Sequence, residues 1–159
     1  MLHMKKLALA ICAGLMALCL CACGSSSSSK SSAETYDGTT FTLGNLVVTA
    51  YDQEIVIDTG GNDCLAIYLH VINKGTTPES VMGTYNVSRN QGSTGTLKVG
   101  VAYGTNGNPI HTAEKRIAAG TSADVCMCFK LVNEAPVSVT FGNAKLGVAE
   151  TNLSFKVTE

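Results

Sequence analysis

The chain has no tryptophan, only five tyrosines and four phenylalanines, and a small share of charged residues, 14%. Carbohydrate-binding sites commonly present exposed aromatic rings with a polar tip, so the scarcity of such rings weighs against that function without excluding it. Eleven basic residues stand against twelve acidic ones, and the basic residues form no cluster. Because nucleic-acid-binding domains need a basic patch or stripe, the sequence predicts no nucleic-acid partner.

Motifs that carry chemistry are also missing. There is no Gly-x-Ser-x-Gly elbow, and the loop at residues 104–108 lacks the Lys-Ser/Thr ending of a phosphate loop. The acidic turn at residues 58–63 offers fewer oxygen ligands than the roughly six to eight that calcium takes. His70 and His111 have no partner at a recognisable spacing. We therefore expect no catalytic residue, no metal site, no cofactor and no enzymatic activity.

The N-terminus carries the clearest signal in the chain. Lys5 and Lys6 precede an uncharged stretch rich in Leu and Ala, residues 7–22. A positive start followed by an apolar run is typical of a secretory signal. The apolar run is shorter than the roughly 20 residues that a membrane-spanning helix needs. The sequence predicts a signal peptide over residues 1–22, and an uncleaved short helix is the weaker alternative.

The predicted signal peptide is followed directly by a cysteine. The junction reads Leu20-Cys21-Ala22-Cys23, and it resembles the lipobox of bacterial lipoproteins, in which Leu and small residues precede the lipidated cysteine. The resemblance implies that Cys23 carries a diacylglyceryl anchor, and two acyl chains hold a protein stably on a membrane. We therefore expect a lipoprotein on the extracytoplasmic face of the cell membrane; the alternative is a cleaved signal peptide without lipid.

The remaining chain divides into a linker and one domain. Residues 23–37 are rich in Ser, a composition typical of flexible coil. Without residues 1–22, Lys and Arg fall from 11 to 9 while Asp and Glu stay at 12, so the net charge is about −3. Residues 38–159 have the length of a single domain.

Apolar residues in this domain alternate with the period of two that is typical of β-strands. The alternation is clearest at residues 46–57, 64–72 and 123–132. Weaker strands are predicted at residues 81–87, 96–103, 115–118, 137–141 and 152–157, with Gly- and Asn-rich turns between strands, one of them at residues 89–92. The sequence predicts an all-β domain, an antiparallel β-sandwich of about seven to nine strands, with a barrel as the alternative.

Four segments carry a resemblance to a known family: residues 46–57, residues 65–73, Asn90-Gln91-Gly92 and residues 117–131. Together they resemble the uncharacterised immunoglobulin-like domains of Gram-positive bacterial lipoproteins, some of which are labelled telomeric repeat-binding factor-like. The resemblance covers residues 40–158. It implies an immunoglobulin-like sandwich on the cell surface, and it implies no established activity.

Three further cysteines fall on strands, at Cys64, Cys126 and Cys128. Each occupies an alternate position opposite to the apolar residues of its strand. In an immunoglobulin-like sandwich the two strands would be neighbours in one sheet, so a disulfide from Cys64 to Cys126 or to Cys128 is a candidate in an oxidising exterior. The alternative is three reduced thiols. A sulfur metal site is disfavoured because Cys-x-Cys lacks a second ligand pair.

Two functions fit these observations. The first is a membrane-tethered extracellular binding module of unknown ligand, which meets an envelope protein or peptide through loops or a sheet edge. The second is a structural or accessory spacer with no soluble ligand. A contiguous apolar patch would favour binding, whereas a pocket that joins His70 or His111 to a carboxylate would favour an enzyme.

Overall fold

Two antiparallel sheets make up the part of the chain that the structure, a computed structural model, describes: residues 38–157. The predicted signal peptide (1–22) and linker (23–37), with Cys23, lie outside the described residues. The two sheets contain seven strands, which confirms the predicted all-β class and the β-sandwich. Between residues 38 and 157 no helix has the length and apolar character that crossing a membrane requires.

The larger sheet has four strands in the order β1-β2-β3-β5. Their bounds are Thr40–Leu43 for β1, Leu46–Ile57 for β2, Asp63–Asn73 for β3 and Ser122–Lys130 for β5. Strands β3 and β5 pair antiparallel from Cys64 opposite Lys130 to Ile72 opposite Ser122. The three clearest predicted strands are therefore confirmed, and the two cysteine-bearing strands are neighbours as expected.

The smaller sheet has three strands in the order β4-β6-β7. Their bounds are Val87–Gln91 for β4, Val137–Asn143 for β6 and Val148–Phe155 for β7. A short 3₁₀ helix, Ala144–Leu146, connects β6 to β7.

The core lies between the inner faces of the two sheets. Strand β3 shows how it is built, because four alternate residues are fully buried there: Leu65, Ile67, Leu69 and Val71. Three phenylalanines from different strands are the largest buried side chains: Phe129, Phe141 and Phe155. Full burial of such a side chain stabilises a fold by about 1.5–3 kcal/mol, so this shared core is what holds the two sheets together.

Between β3 and β5 the sequence prediction is partly wrong. The strand predicted at residues 81–87 is instead a helical turn, α1 (Val81–Thr84), capped by Ser80, whose Oγ accepts a hydrogen bond from Gly83 N at 3.1 Å. The turn predicted at residues 89–92 is mostly strand β4. Residues 96–103 and 115–118 form only isolated bridges. Side-chain capping competes with strand formation here, and the apolar alternation is too short to show it.

Residues 98–113, which we call the cover segment, run along the free edge of β5 and over the outer face of the larger sheet. Gly100 N donates to Cys128 O at 2.9 Å, and Lys130 N donates to Lys98 O at 2.8 Å. Further along, Thr112 N donates to Cys126 O at 2.8 Å. The segment thereby satisfies backbone groups that an edge strand would otherwise leave open to pairing with another chain.

Candidate functional site

A groove of about 690 Å³ lies at one end of the sandwich. It is lined by Ile55, by residues 61–63 of the β2–β3 turn, by residues 131–134 after β5, and by Val157. A second groove of about 380 Å³ shares Asn62, Leu131 and Val132 with the first and extends along residues 94–98. The shared residues therefore form a ridge between two adjoining grooves, and we call residues 131–134 the ridge loop.

The turn on one side of the ridge is fixed by a buried carboxylate. Asp58 Oδ1 accepts hydrogen bonds from Gly60 N at 2.8 Å and from Asn62 N and Nδ2 at 2.9 Å each. Its other oxygen pairs with Lys130 Nζ at 2.5 Å, and its side chain is only 1% exposed. Lys130 and the backbone donors hold the pKa of Asp58 well below its usual range, so the carboxylate is ionised. The acidic turn predicted here as a poor calcium ligand is thus a structural turn.

The ridge loop itself is fixed by a side chain from the other sheet. Gln91 is fully buried at the end of β4. Its Oε1 accepts from Val132 N at 2.8 Å and Asn133 N at 3.3 Å, and its Nε2 donates to Asn133 O at 2.5 Å and Ala135 O at 2.9 Å. One side-chain amide therefore makes four hydrogen bonds to backbone groups, and these bonds hold the loop in one conformation.

The lining of the grooves is chemically mixed. Asp63 and Glu134 line the first groove, Lys98 and Lys130 line the second, and Val132 on the ridge is 59% exposed. Neither groove includes a histidine or a cysteine among its lining residues. No group of three or more His, Cys, Asp and Glu side chains within residues 38–157 could hold a metal ion. The arrangement can offer hydrogen bonds, both signs of charge and apolar contacts to a bound chain.

The predicted cysteines lie away from the grooves' linings, on the outer face of the larger sheet. Cys64, Cys126 and Cys128 are buried free thiols. The register sets Cys64 opposite Lys130, Cys128 opposite Ala66 and Cys126 opposite Tyr68. The outward direction that the alternation predicted agrees with this register, but the burial was not predicted, because it comes from the cover segment. Burial raises the pKa of Cys126 and Cys128 to about 12 and also raises that of Cys64.

The two histidines within residues 38–157 have separate surroundings. His70 Nδ1 lies 2.7 Å from Asp124 Oδ1, with side chains 42% and 68% exposed. This pair is open to solvent on the sheet and lines neither groove. His111 lies on the cover segment, where Nδ1 accepts from Cys128 N at 3.0 Å. Burial lowers the pKa of His111, which favours the neutral ring.

Beside His70 the outer face carries tyrosines and acidic residues. The rings of Tyr51 and Tyr68 are 6.3 Å apart, and the Tyr68 hydroxyl donates to Glu54. Burial and this carboxylate raise the pKa of Tyr68. This exposed half of the face contrasts with the half beneath the cover segment.

Sequence reasoning missed Gln91 and the ridge loop as parts of a site. The sequence predicts a turn at Gln91 and a strand at residues 123–132, which includes the first two residues of the ridge loop. The available signal was composition: residues 133–136 read Asn-Glu-Ala-Pro between two apolar strands, which is typical of a loop. Nothing in the spacing indicated that a glutamine 42 residues away from Asn133 would hold that loop.

Comparisons with known proteins give a family and a fold. The sequence profile described as "Domain of unknown function (DUF5067)" matches residues 22–143. Among curated proteins, none matches. A candidate lipoprotein from Staphylococcus aureus has a similar structure, with a TM-score of 0.53 and 12% identity over 76% of this chain and 94% of its own.

A second similar structure is a candidate lipoprotein, ycdA, from Bacillus subtilis. Its TM-score is 0.54 with 13% identity, over 74% of this chain and 39% of that one. The present chain thus matches well under half the length of the Bacillus protein. At such identities the likeness shows the sandwich fold alone.

Proposed function

The chain belongs to the family described as a domain of unknown function, DUF5067, and we propose that it is a membrane-tethered extracellular lipoprotein whose β-sandwich binds a partner. The tether rests on the lipobox resemblance at Cys23, and two structurally similar proteins are themselves described as candidate lipoproteins. In this proposed role the chain catalyses no reaction and binds no cofactor.

We further propose that the sandwich is immunoglobulin-like, and the strand order supports this. Strands β2, β3 and β5 are adjacent in one sheet, and β4, β6 and β7 form the other. An immunoglobulin constant-type sandwich places strands A, B, E and D in one sheet and C, F and G in the other. If β2 is strand A, then β3 corresponds to strand B, β4 to C, β5 to E, β6 to F and β7 to G. The bridge of Val99 to Phe129 then lies where strand D would pair with strand E.

One observation carries the binding role: the ridge loop stands between two grooves and is held by a buried amide. Loops at the end of a sandwich are where such folds present binding residues, because the sheets fix loop positions without using loop side chains. A loop held in one conformation before binding loses little conformational entropy on binding. Exposed Val132 supplies an apolar contact, with polar groups on both sides. We propose that these grooves accept an extended segment of an envelope protein or peptide.

Site-specific photocrosslinking tests this binding role. A photoreactive residue at position 132 should capture an envelope protein in cells that make the full chain. The matched control places it at position 146, because Leu146 is also apolar and exposed, at 74%, but lines neither groove. A second pair, Val132→Glu and Leu146→Glu, adds the same charge at the two sites. With the photoreactive residue moved to position 134, which also lines the first groove, only Val132→Glu should reduce capture of the partner by the folded protein.

The spacer alternative makes the opposite prediction. A spacer contacts its neighbours without a preferred surface, so positions 132 and 146 would crosslink equally or not at all. Either result, with the protein folded and on the membrane, would contradict the binding proposal.

A further inference from the structure

A second, smaller apolar cluster lies outside the main core, on the outer face of the larger sheet. It contains three buried residues, Cys64, Ala102 and Cys128, with Val56 and Ile110 packed against them. Ala102 and Ile110 come from the cover segment, and Ile110 N donates to Ala102 O at 2.9 Å. Two thiols are therefore enclosed together between the sheet and the cover segment.

Gly100 brings the cover segment close to both sulfurs. A Cβ atom at this position would lie 2.5 Å from Cys64 Sγ and 3.1 Å from Cys128 Sγ. At distances this short the thiol side chains would have to shift to admit even a methyl group. Glycine is therefore favoured here by close approach, because its φ lies outside the left-handed region. Because both sulfurs approach one point, they are near one another. Cys64 Sγ itself donates a hydrogen bond to Asn62 O at 3.7 Å.

The third thiol does not share this position. Cys126 lies opposite Tyr68, four residues along the ladder from the Cys64–Lys130 pair. At about 3.4 Å per residue this is a separation of about 14 Å, well beyond the reach of a disulfide. Its Sγ is instead hydrogen-bonded to Met127 O at 3.5 Å. Of the two pairings that the sequence left open, only Cys64 with Cys128 is compatible with the register.

We propose that Cys64 and Cys128 are a redox-active thiol pair that closes to a disulfide beneath the cover segment, while Cys126 stays reduced. The two residues occupy diagonal positions of the ladder, because Cys128 is two residues from the residue opposite Cys64. Diagonal neighbours start further apart than the Cβ separation of a relaxed disulfide, so closure requires a local shift of the sheet edge and of the cover segment. A disulfide of this kind is expected to be reversible.

The chemistry is thiol–disulfide exchange with an external disulfide of a small thiol as oxidant. One thiolate attacks a sulfur of the oxidant, which releases the first small thiol and leaves a mixed disulfide on the protein. The second thiolate then attacks the protein sulfur of the mixed disulfide and releases the second small thiol. Two electrons and two protons pass from the protein to the oxidant, and one S–S bond replaces another. Because both thiols are buried, each step waits for the cover segment to open.

The test is disulfide mapping of the folded full-length chain, recovered from membranes in detergent. The protein is incubated overnight with oxidised glutathione, it is then unfolded in urea with the alkylating reagent present so that every free thiol reacts, and its peptides are identified by mass spectrometry. We expect a crosslinked Cys64–Cys128 peptide and an alkylated Cys126. Cys126→Ala should leave the crosslink unchanged, and Cys128→Ser should lower crosslinking of Cys64 at least about ten-fold, since neighbouring thiols have a high effective concentration.

Circular dichroism before and after oxidation verifies that the protein stays folded. Alkylation of Cys64 and Cys128 throughout, in protein that remains folded, would overturn the proposal, as would a crosslink that includes Cys126. If Cys128→Ser does not fold, the wild type and Cys126→Ala still decide, because each retains the proposed pair. Unfolded protein in urea is the reference for pairing without structure.

Discussion

The two halves of the outer face of the larger sheet have different surroundings. Near the β2–β3 turn, Cys64, Ala66 and Cys128 point outward and are fully buried. Further along the same strands, His70 and Asp124 point outward in the same way and are 42% and 68% exposed. The alternation of residues along the strands is the same in both halves. The halves differ because the cover segment lies over one of them and leaves the other open to solvent. The direction of a side chain in a strand therefore does not by itself decide its burial.

The comparison also shows how a sandwich buries more than its core. The cover segment contributes Ala102 and Ile110 to the small cluster. It also donates hydrogen bonds from Gly100 N and Thr112 N to backbone carbonyls on the edge of β5. A segment without regular secondary structure can therefore act as a partial third layer. Its close approach depends on a residue without a side chain at position 100.

Thiol reactivity should show the largest difference between the two halves. Burial raises the pKa of Cys126 and Cys128 to about 12, so the thiolate fraction at pH 8 is roughly 1,000-fold below that of a free cysteine of ordinary pKa. His70→Cys places a reference thiol on the open half. In the reduced, folded protein we expect iodoacetamide to alkylate position 70 at least about 100-fold faster than Cys126 or Cys128. Comparable rates would mean that the cover segment does not enclose the thiols.

A methyl group at position 100, within the cover segment, should lower the free energy of unfolding. Gly100→Ala places a Cβ within 2.5 Å of Cys64 Sγ, and overpacking of this kind costs about 1–3 kcal/mol of unfolding free energy. The matched control is Gly95→Ala, because a Cβ at Gly95 meets nothing within 4 Å and its φ is also outside the left-handed region. Removing that glycine should be neutral or stabilising by up to about 1 kcal/mol.

Urea unfolding of both variants gives the two free energies. Equal changes at positions 95 and 100 would contradict the close packing of the cover segment. A further variant, Cys64→Ala with Gly100→Ala, sharpens the test, because removal of the sulfur should recover part of the lost stability if the two atoms are in contact.

Sequence reasoning predicted the fold where strands are long and alternate cleanly. Strands β2, β3 and β5 each bury alternate residues on one face, so both their extent and their inner faces could be read from period two. Strand β1 was missed because only four residues form it, of which Leu43 alone is fully buried. Short elements of this length give too few alternations to be recognised.

The region from Glu79 to Ile117 could not be predicted for a different reason. Its structure depends on contacts with distant parts of the chain: the isolated bridge between Glu79 and Ile117, and the pairing of residues 98–100 with β5. The candidate site also depends on contacts between distant parts of the chain, because Gln91 ends β4 in one sheet and the ridge loop follows β5 in the other. Local pattern carries no information on such pairings, because they are decided by the packing of the whole domain.

The smallest expected effect is a pH dependence from His111 in the covered half. Burial lowers the pKa of His111, with a smaller contribution of the same sign from Arg89 and an opposing one from Glu114. A lowered pKa means that the unfolded chain binds a proton at higher pH than the folded one. Stability is therefore full above the unfolded value of about 6.5 and falls as the pH drops from there toward the folded pKa.

For one proton the slope can reach at most about 1.4 kcal/mol per pH unit. His111→Gln keeps an acceptor for Cys128 N but cannot titrate, so the variant should lose less stability than the wild type between pH 7.5 and 5.5. The readout is the difference between the two proteins in urea-unfolding free energy at each pH, because the contributions of all other groups are common to both. The pKa of Asp58 is also lowered, so its contribution to stability is likewise lost as the pH falls. That loss occurs below about pH 4, outside this window. Identical pH dependence in both proteins would show that the imidazole is accessible to protons in the folded state, and the covered half of the sheet would then be as open at His111 as the other half is at His70.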